Sequence, residues 1–249
     1  MQVITLMSAK GGVGKTTLAA NLAHGLHRRG YRTLAVDLDP QNALRLHLGM
    51  DAADTSGFIR EGLSRNVLFT SPHGVYFAPF GDVQADDLTL FEAFLAENPD
   101  WLARSITALE PLGFDYVILD TSPGPNVFLN QALATTSTAL MVVLADAASY
   151  ATVPQALQLI ERHAKPNPRY RESFVVINQQ PVNGRLGHQV RSALANDREI
   201  PLAPVSVHRD SRVGMAMAYQ QPVVQYAPSA MVSLDIEYLV DWLVDQTQA

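Results

Sequence analysis

Cysteine is absent from the sequence. This absence excludes disulfide bonds, zinc sites built from thiolates and iron–sulfur clusters held by cysteine. A chain without disulfides is typical of a reducing compartment, so we expect a cytoplasmic protein.

Long hydrophobic runs are also missing. The longest, ALMVVLADAA from Ala139, is far shorter than the roughly 20 residues that a membrane-spanning helix needs. The opening MQVITLM has no basic stretch before it, so it predicts a buried strand rather than a signal peptide. We expect membrane contact to be peripheral only, with recruitment to the inner membrane through partners.

Positive charge is scarce. The chain has 18 Lys and Arg residues, only three of them Lys, against 24 Asp and Glu, and its net charge is −6. Non-specific DNA binding depends on a positive field, so DNA binding is disfavoured. The cations available for it are Arg28, Arg29, Arg32 and those of segment 162–171.

What the chain does contain is an alternation of apolar strand patterns and helical patterns. Because most of the strand patterns lack polar alternation, they predict a parallel sheet covered by helices on both faces. We therefore expect a doubly wound, mainly parallel α/β fold, built as one domain over residues 1–249. The predicted strands are 3–7, 33–38, 75–80, 116–119, 139–144, 174–177 and 202–207, and the clearest predicted helices are 16–29, 101–109, 153–163 and 233–244.

The segment SAKGGVGKTT, residues 8–17, separates the first predicted strand from the first predicted helix. Glycines in this context let backbone N–H groups curl around a phosphate at a helix N-terminus. Lys15 would neutralise the β- and γ-phosphates, Thr16 would bind Mg²⁺, and Thr17 would reach the α-phosphate. Ala9 replaces a glycine of the strict pattern, and a glycine-rich helix cap is the alternative. The predicted nucleotide ligands are Gly11, Gly12, Val13, Gly14, Lys15, Thr16 and Thr17.

A resemblance to a known family explains why this loop contains Lys10 in addition to Lys15. KGGVGKTT resembles the deviant Walker A motif of the MinD/ParA family of ATPases. The resemblance implies that Lys10 reaches across a homodimer to the nucleotide of the other subunit, while Lys15 acts within its own subunit. A second cation there would stabilise the charge of phosphoryl transfer. The alternative is that Lys10 is a solvated loop cation.

Two aspartates end the second predicted strand in LAVDLDPQNAL. The family resemblance implies that Asp39 lies in switch I and orients the attacking water, a role that suits a carboxylate. Asp37 and Gln41 are weaker candidates for contacts to a Mg²⁺-bound water or within the switch. For either aspartate the alternative is helix capping.

Two further motifs follow the same resemblance. FDYVILDTSPG places Asp120 at the Walker B position, where it would hold Mg²⁺ through a water, with residues 121–126 as switch II. FVVINQQ ends in Asn178, which matches the family's adenine-reading asparagine, although a turn asparagine is the alternative. The segment that begins HRDSRVG resembles the loop and helix on the adenine side.

The outer motifs QNALRLHLGM, FAPFGD, PVSVHRD and QQPVVQYAPSA are similar to the cellulose-biosynthesis (BcsQ) branch of the family. This similarity implies an ATPase that assists the cellulose synthase machinery, with a small BcsR-like subunit as a further partner. The last helix carries acids but no Lys or Arg, so its stripe is expected to dock on the core rather than on a membrane. That stripe is Leu234, Tyr238, Leu239, Trp242 and Leu243.

The resulting hypothesis is a slow, dimer-dependent ATPase that acts as a switch. Three alternatives stay open: a ParA-type ATPase for DNA or cargo partitioning, a scaffold that holds ATP without turnover, and a biosynthetic P-loop ligase. Residues 50–100 give no functional signal.

Overall fold

A seven-stranded sheet forms the centre of the computed structural model, which describes residues 1–182, 185–196 and 200–248. The strand order is β3-β4-β2-β5-β1-β6-β7. The short strand β3 pairs antiparallel with β4, whereas the other pairings of the described sheet are parallel. The strands are β1 (Gln2–Met7), β2 (Thr33–Leu38), β3 (Phe69–Thr70), β4 (Tyr76–Ala78), β5 (Tyr116–Thr121), β6 (Thr138–Leu144) and β7 (Glu172–Asn178).

Helices cover both faces of the sheet. Among the described residues, none of them is both long enough and apolar enough to cross a membrane. The helices are α1 (Lys15–Arg28), α2 (Leu44–His47), α3 (Phe58–Glu61), α4 (Ala85–Glu97), α5 (Trp101–Ala108), α6 (Val127–Thr135), α7 (Ala147–Tyr150), α8 (Val153–Leu159), α9 (Arg185–Asn196), α10 (Arg212–Ala218), α11 (Val223–Tyr226) and α12 (Met231–Gln248).

Burial on both faces explains the apolar strand sequences. Ile4 and Leu6 of β1 belong to one core cluster, packed under α1 and α12. Their neighbours Val3 and Met7 belong to two other clusters, under α4 to α6 and under α8 and α9. Because successive side chains of a strand point to opposite faces, a strand buried on both faces does not alternate between apolar and polar residues. The predicted doubly wound fold is confirmed.

One predicted strand is wrong. Residues 202–207 run beside β7 but form no strand, and only isolated bridges such as Val175 to Leu202 remain. Pro201 and Pro204 interrupt the segment. Proline has no N–H to donate to a ladder, so a proline-containing segment at a sheet edge pairs only in places. Ala203 and Val207 still donate their N–H groups to β7.

The C-terminal helix corrects a second expectation. Leu239 and Leu243 are buried and Trp242 packs edge-on against Phe174, as a core-docking helix requires. Leu234 and Tyr238, however, are 54% and 57% exposed. The five apolar positions therefore span more than one face of α12.

The strand order brings the predicted motifs together. β1 lies between β5 and β6, and β5 also pairs with β2. Because the parallel strands end at the same edge, the loop after β1 meets the ends of β2 and β5 there. Asp120 is the register partner of both Leu6 and Asp37.

Candidate active site

The glycine-rich loop between β1 and α1 has a conformation that only glycine adopts readily. Gly12 and Gly14 have φ values of 74° and 88°, in the left-handed region that disfavours side chains. A Cβ on Gly14 would also lie 2.4 Å from Nδ2 of Asn178. Helix α1 begins at Lys15, so its free N–H groups and its dipole face the loop. This geometry is that of an anion site.

Lys15 is buried inside the loop. Its Nζ donates to Oγ of Ser8 at 2.8 Å, and that hydroxyl donates to the carbonyl of Lys10 at 2.7 Å. Burial lowers the pKa of Lys15, while the charges of Asp120 and Asp39 oppose this shift. An ammonium held this way has further donors available for phosphate oxygens.

Asp120 is the penultimate residue of β5, and its carboxylate lacks hydrogen-bond partners among the described residues. Both carboxylate oxygens are buried, and neither accepts a hydrogen bond from the described residues. Burial raises the pKa of Asp120 to about 7, although the Thr16 hydroxyl and the Lys15 ammonium lower it. A buried carboxylate without partners is costly unless a cation or a bound water completes it.

Thr16 and Asp120 therefore fit the predicted Mg²⁺ position. The described residues contain no group of three or more His, Asp or Glu side chains that could hold a metal by themselves. This suits Mg²⁺, which usually takes one or two protein ligands and completes its shell with phosphates and water.

Asp37 and Asp39 have different environments. Asp37 is fully buried, and its two oxygens accept the N–H groups of Asp39 and Leu44 at 3.0 and 2.9 Å. Its carboxylate thus folds the loop after β2 and is not available to a ligand. Asp39 is partly exposed and binds the N–H of Gln41 through Oδ1 at 3.0 Å. Oδ2 of Asp39 has no hydrogen-bond partner in the described part of the chain.

Lys10 lies at the rim of the same site. It is partly exposed and forms no salt bridge within 4.0 Å with the described residues. The N–H of Ser149 lowers the pKa of Asp146, and the charge of Lys10 adds to this effect. The side chain of Lys10 therefore lies near the turn between β6 and α7 and not, like that of Lys15, in the interior of the loop.

The end of β7 holds the loop from the other side. Nδ2 of Asn178 donates to the carbonyl of Val13 at 2.7 Å, and Nε2 of Gln179 donates to that of Gly12 at 2.9 Å. Asn178 is therefore a loop clamp, a role that sequence reasoning did not find. Its Oδ1 has no hydrogen-bond partner among the described residues, so it can still accept from a base.

A cavity opens beside Gly14 and Thr17. Its other lining residues include Asn178, His208 and Asp210, so the HRD segment lies where the adenine side was expected. His208 is fixed by Asp235 of α12, whose Oδ2 contacts Nδ1 at 2.8 Å and accepts the backbone N–H at 2.9 Å. Sequence reasoning missed this pair, because 27 residues separate the partners and no motif links them.

Comparison with known proteins identifies the family. The family model described as "Cellulose biosynthesis protein BcsQ" matches residues 1–244. The chain belongs to the BcsQ family. This membership, together with the match to a partitioning ATPase, confirms the resemblance to the MinD/ParA ATPases.

Individual relatives agree with this membership. The chain is 30% identical to the chromosome-partitioning ATPase Soj of Thermus thermophilus over 91% of this chain and 89% of Soj. It is 26% identical to the cellulose biosynthesis protein BcsQ of Escherichia coli K12, covering 97% of this chain and 94% of that protein. A structure of MinD from Pyrococcus horikoshii, solved with Mg-ADP, superposes with a TM-score of 0.79 at 20% identity, covering 97% and 95% of the two chains.

Proposed function

We propose that this member of the BcsQ family is an ATP-dependent dimerising switch that assists a bacterial cellulose synthase or secretion complex. The observation that carries the switch is the different placement of the two loop lysines. Lys15 is buried and bound to Ser8, whereas Lys10 is partly exposed at the rim. This difference supports a role of Lys15 towards the nucleotide of its own subunit and of Lys10 towards that of a second subunit.

The roles of the site residues follow from their environments. Lys15 and the N–H groups of residues 11–17 bind the phosphates, and Thr16 and Asp120 hold Mg²⁺, which screens phosphate charge. Oδ2 of Asp39 accepts a hydrogen bond from the attacking water and aligns it. Lys10 of the other subunit stabilises the charge that develops on the phosphates. Asn178 and Gln179 keep the loop in its binding conformation.

Such an enzyme produces a conformational state rather than a metabolite. The nucleotide-bound dimer binds its partner, and hydrolysis releases the dimer. Turnover is therefore expected to be slow. A scaffold that holds ATP without turnover is excluded if phosphate release depends on both Asp39 and Mg²⁺.

The cellulose assignment rests on the family match over residues 1–244. The partners are then the cellulose synthase machinery and a small BcsR-like subunit, which recruit the protein to the inner membrane. The test is cellulose output, measured by dye binding, in cells that carry the native gene, a deletion or Lys15→Ala. Cellulose loss in the deletion and in Lys15→Ala supports the assignment, and unchanged cellulose contradicts it.

The similarity to Soj favours a second candidate, a DNA-partition ATPase. The cations available for DNA are largely engaged. Arg29 pairs with Glu237 and Asp241, and Lys165 and Arg169 pair with Glu161 and Glu110. Paired cations offer little net field to phosphates, which disfavours this candidate. ATP-dependent, salt-sensitive binding to non-specific duplex DNA would instead support it.

A further inference from the structure

Helix α4 (Ala85–Glu97) packs on the fold through few residues. The side chain of Leu95 is buried. Phe91 is partly buried, and its ring centroid lies 5.4 Å from that of Trp101 and 6.1 Å from that of Phe128. Leu90 and Phe94 are 69% and 42% exposed. Because they are four residues apart, they lie on the same outward side of the helix. Two large apolar side chains thus face solvent together.

All charged residues of α4 itself are acids. Asp86, Asp87, Glu92 and Glu97 form no salt bridge with the described residues, and the sequence has no Lys or Arg between positions 65 and 104. The first two acids stabilise the N-terminus of the helix, but Glu97 lies at the C-terminal end, where the dipole favours a cation. We call Leu90, Phe94, Asp86, Asp87 and Glu97 the acidic face, whereas Glu92 lies on the other side of the helix.

The acidic face is connected to the predicted switch II. Gln131 of α6 is buried and donates to the carbonyls of Leu95 and Asn98 at 3.0 and 2.7 Å, while its Oε1 accepts the N–H of Leu102 at 3.1 Å. Helix α6 begins directly after the switch, where the Asn126 side chain caps it. These hydrogen bonds physically link the end of α4 to α6, the helix that follows the predicted switch II.

We propose that the acidic face binds an amphipathic helix rich in Lys and Arg from a partner protein. Leu90 and Phe94 would contact its apolar side, and Asp86, Asp87 and Glu97 its cations. The same charges disfavour anionic lipid and nucleic acid. They also disfavour a second copy of α4, because two such helices repel each other and each chain carries a net charge of −6.

A groove lies between α4 and α6. Its lining includes Leu95, Ala96 and Asn130. Arg162 and His163 form the far wall. The cations of the partner are therefore expected over α4 and not over that wall.

The test is a fluorescence-anisotropy titration without nucleotide, so its outcome does not depend on the ATPase function. The probes are a labelled amphipathic peptide of Leu and Lys and a matched peptide of Leu and Glu. We expect the native protein to bind the Lys peptide in a salt-dependent manner and the Glu peptide at least about tenfold more weakly, a difference of about 1.4 kcal/mol. Leu90→Ser with Phe94→Ser should weaken Lys-peptide binding about tenfold, and Asp87→Asn with Glu97→Gln should weaken it and reduce its salt dependence.

Matched control variants lie elsewhere on the surface. Leu234→Ser with Tyr238→Ser removes two similarly exposed apolar side chains of α12. Glu61→Gln with Asp245→Asn removes two exposed acids that form no salt bridge with the described residues. Both controls should bind the Lys peptide like the native protein. Equal weakening in the controls, or equal affinity for both peptides, overturns the proposal. A lower solution mass in Leu90→Ser with Phe94→Ser also overturns it, since the face would then join two copies.

Discussion

Asp37 and Asp120 are register partners on the neighbouring strands β2 and β5, yet only one of them has hydrogen bonds. Asp37 accepts two backbone N–H groups, from Asp39 and Leu44. Asp120 is equally buried, and both of its oxygens lack a partner among the described residues. One carboxylate therefore supports the loop, and the other is left for a ligand at a cost in stability.

Asp120→Asn should stabilise the nucleotide-free protein at alkaline pH. Burial raises the pKa of Asp120 from 3.8 to about 7, so its stability contribution is present below the unfolded pKa and is lost as the pH rises through about 7. We expect a melting temperature at about pH 8 that is at least about 2 °C above that of the native protein, with a smaller gain near pH 5. The same variant should lose Mg²⁺-dependent ATP hydrolysis by at least about a hundredfold.

The control is Asp37→Asn, which removes one acceptor from the loop after β2. Burial and the charge of Asp120 also raise the pKa of Asp37, so this variant loses a buried charge as well as an acceptor. Its melting temperature at about pH 8 should therefore rise less than that of Asp120→Asn, because a backbone N–H loses its partner. An Asp120→Asn protein that is less stable than native at alkaline pH would contradict the unsatisfied role of its carboxylate.

Lys15→Ala should abolish nucleotide binding. The variant removes the buried ammonium beside Ser8 and leaves the loop backbone in place. Isothermal titration with ATP and Mg²⁺ should show at least about a hundredfold weaker affinity. Lys165→Ala is the control, because Lys165 is an exposed lysine that pairs with Glu161. ATP affinity that is unaltered in Lys15→Ala would refute the phosphate-loop assignment.

Asn178→Ala separates a loop clamp from an adenine reader. If Asn178 only holds Val13, the affinities for ATP and GTP should weaken by similar factors. If its free Oδ1 also accepts from the base, the preference for ATP over GTP should fall as well. We expect both effects, with a loss of about tenfold in ATP affinity. Native affinity for both nucleotides would exclude either role.

His24 should make the native protein sensitive to acid. It is buried against His73, with ring centroids 5.6 Å apart, and neither ring nitrogen has a partner among the described residues. Burial, aided by His73, Arg28 and His27, lowers its pKa from 6.5 to about 4. The contribution of the neutral His24 to stability is thus complete above a pH of about 6.5, which is the pKa of His in the unfolded chain. This contribution is lost as the pH falls from about 6.5 to about 4.

The variant that tests this sensitivity is His24→Leu. Between about pH 7.5 and pH 5 the free energy of unfolding should fall by about 1 to 2 kcal/mol less in the variant than in the native protein. Denaturant unfolding at the two pH values measures the difference, with the more exposed His163→Leu as the control. Equal acid losses in His24→Leu and native protein would rule out this residue as the cause.

The sequence predicts correctly those elements whose signals lie within one short segment. The β1 strand, the loop around Gly14 and helix α1 carry their own signals: an apolar run, glycines and a helical period. The strand prediction for segment 202–207 was wrong because its apolar residues suit a strand, whereas Pro204 has no N–H group to complete a ladder. Asp37 stayed ambiguous for another reason. Capping and ligand binding require the same side chain, and only the contacts of its oxygens separate them.

Features formed between distant segments could not be predicted. The clamp from Asn178 to Val13 joins residues 165 positions apart, and no periodicity or local motif encodes such a contact. The outward position of Leu90 on α4 was equally hidden, because apolar residues occur on both sides of that helix. Its orientation follows from the packing of Phe91 and Leu95, which depends on α5 and α6.

The central claim is that Lys10 acts across a dimer that forms only with nucleoside triphosphate. The direct test is the solution mass of the native chain and of Lys10→Ala, each with ADP and with a non-hydrolysable ATP analogue. The account predicts a dimer only for the native chain with the analogue, while Lys10→Ala binds the analogue and stays monomeric. A mass that does not change with the nucleotide, or an intact analogue-bound dimer of Lys10→Ala, would contradict it.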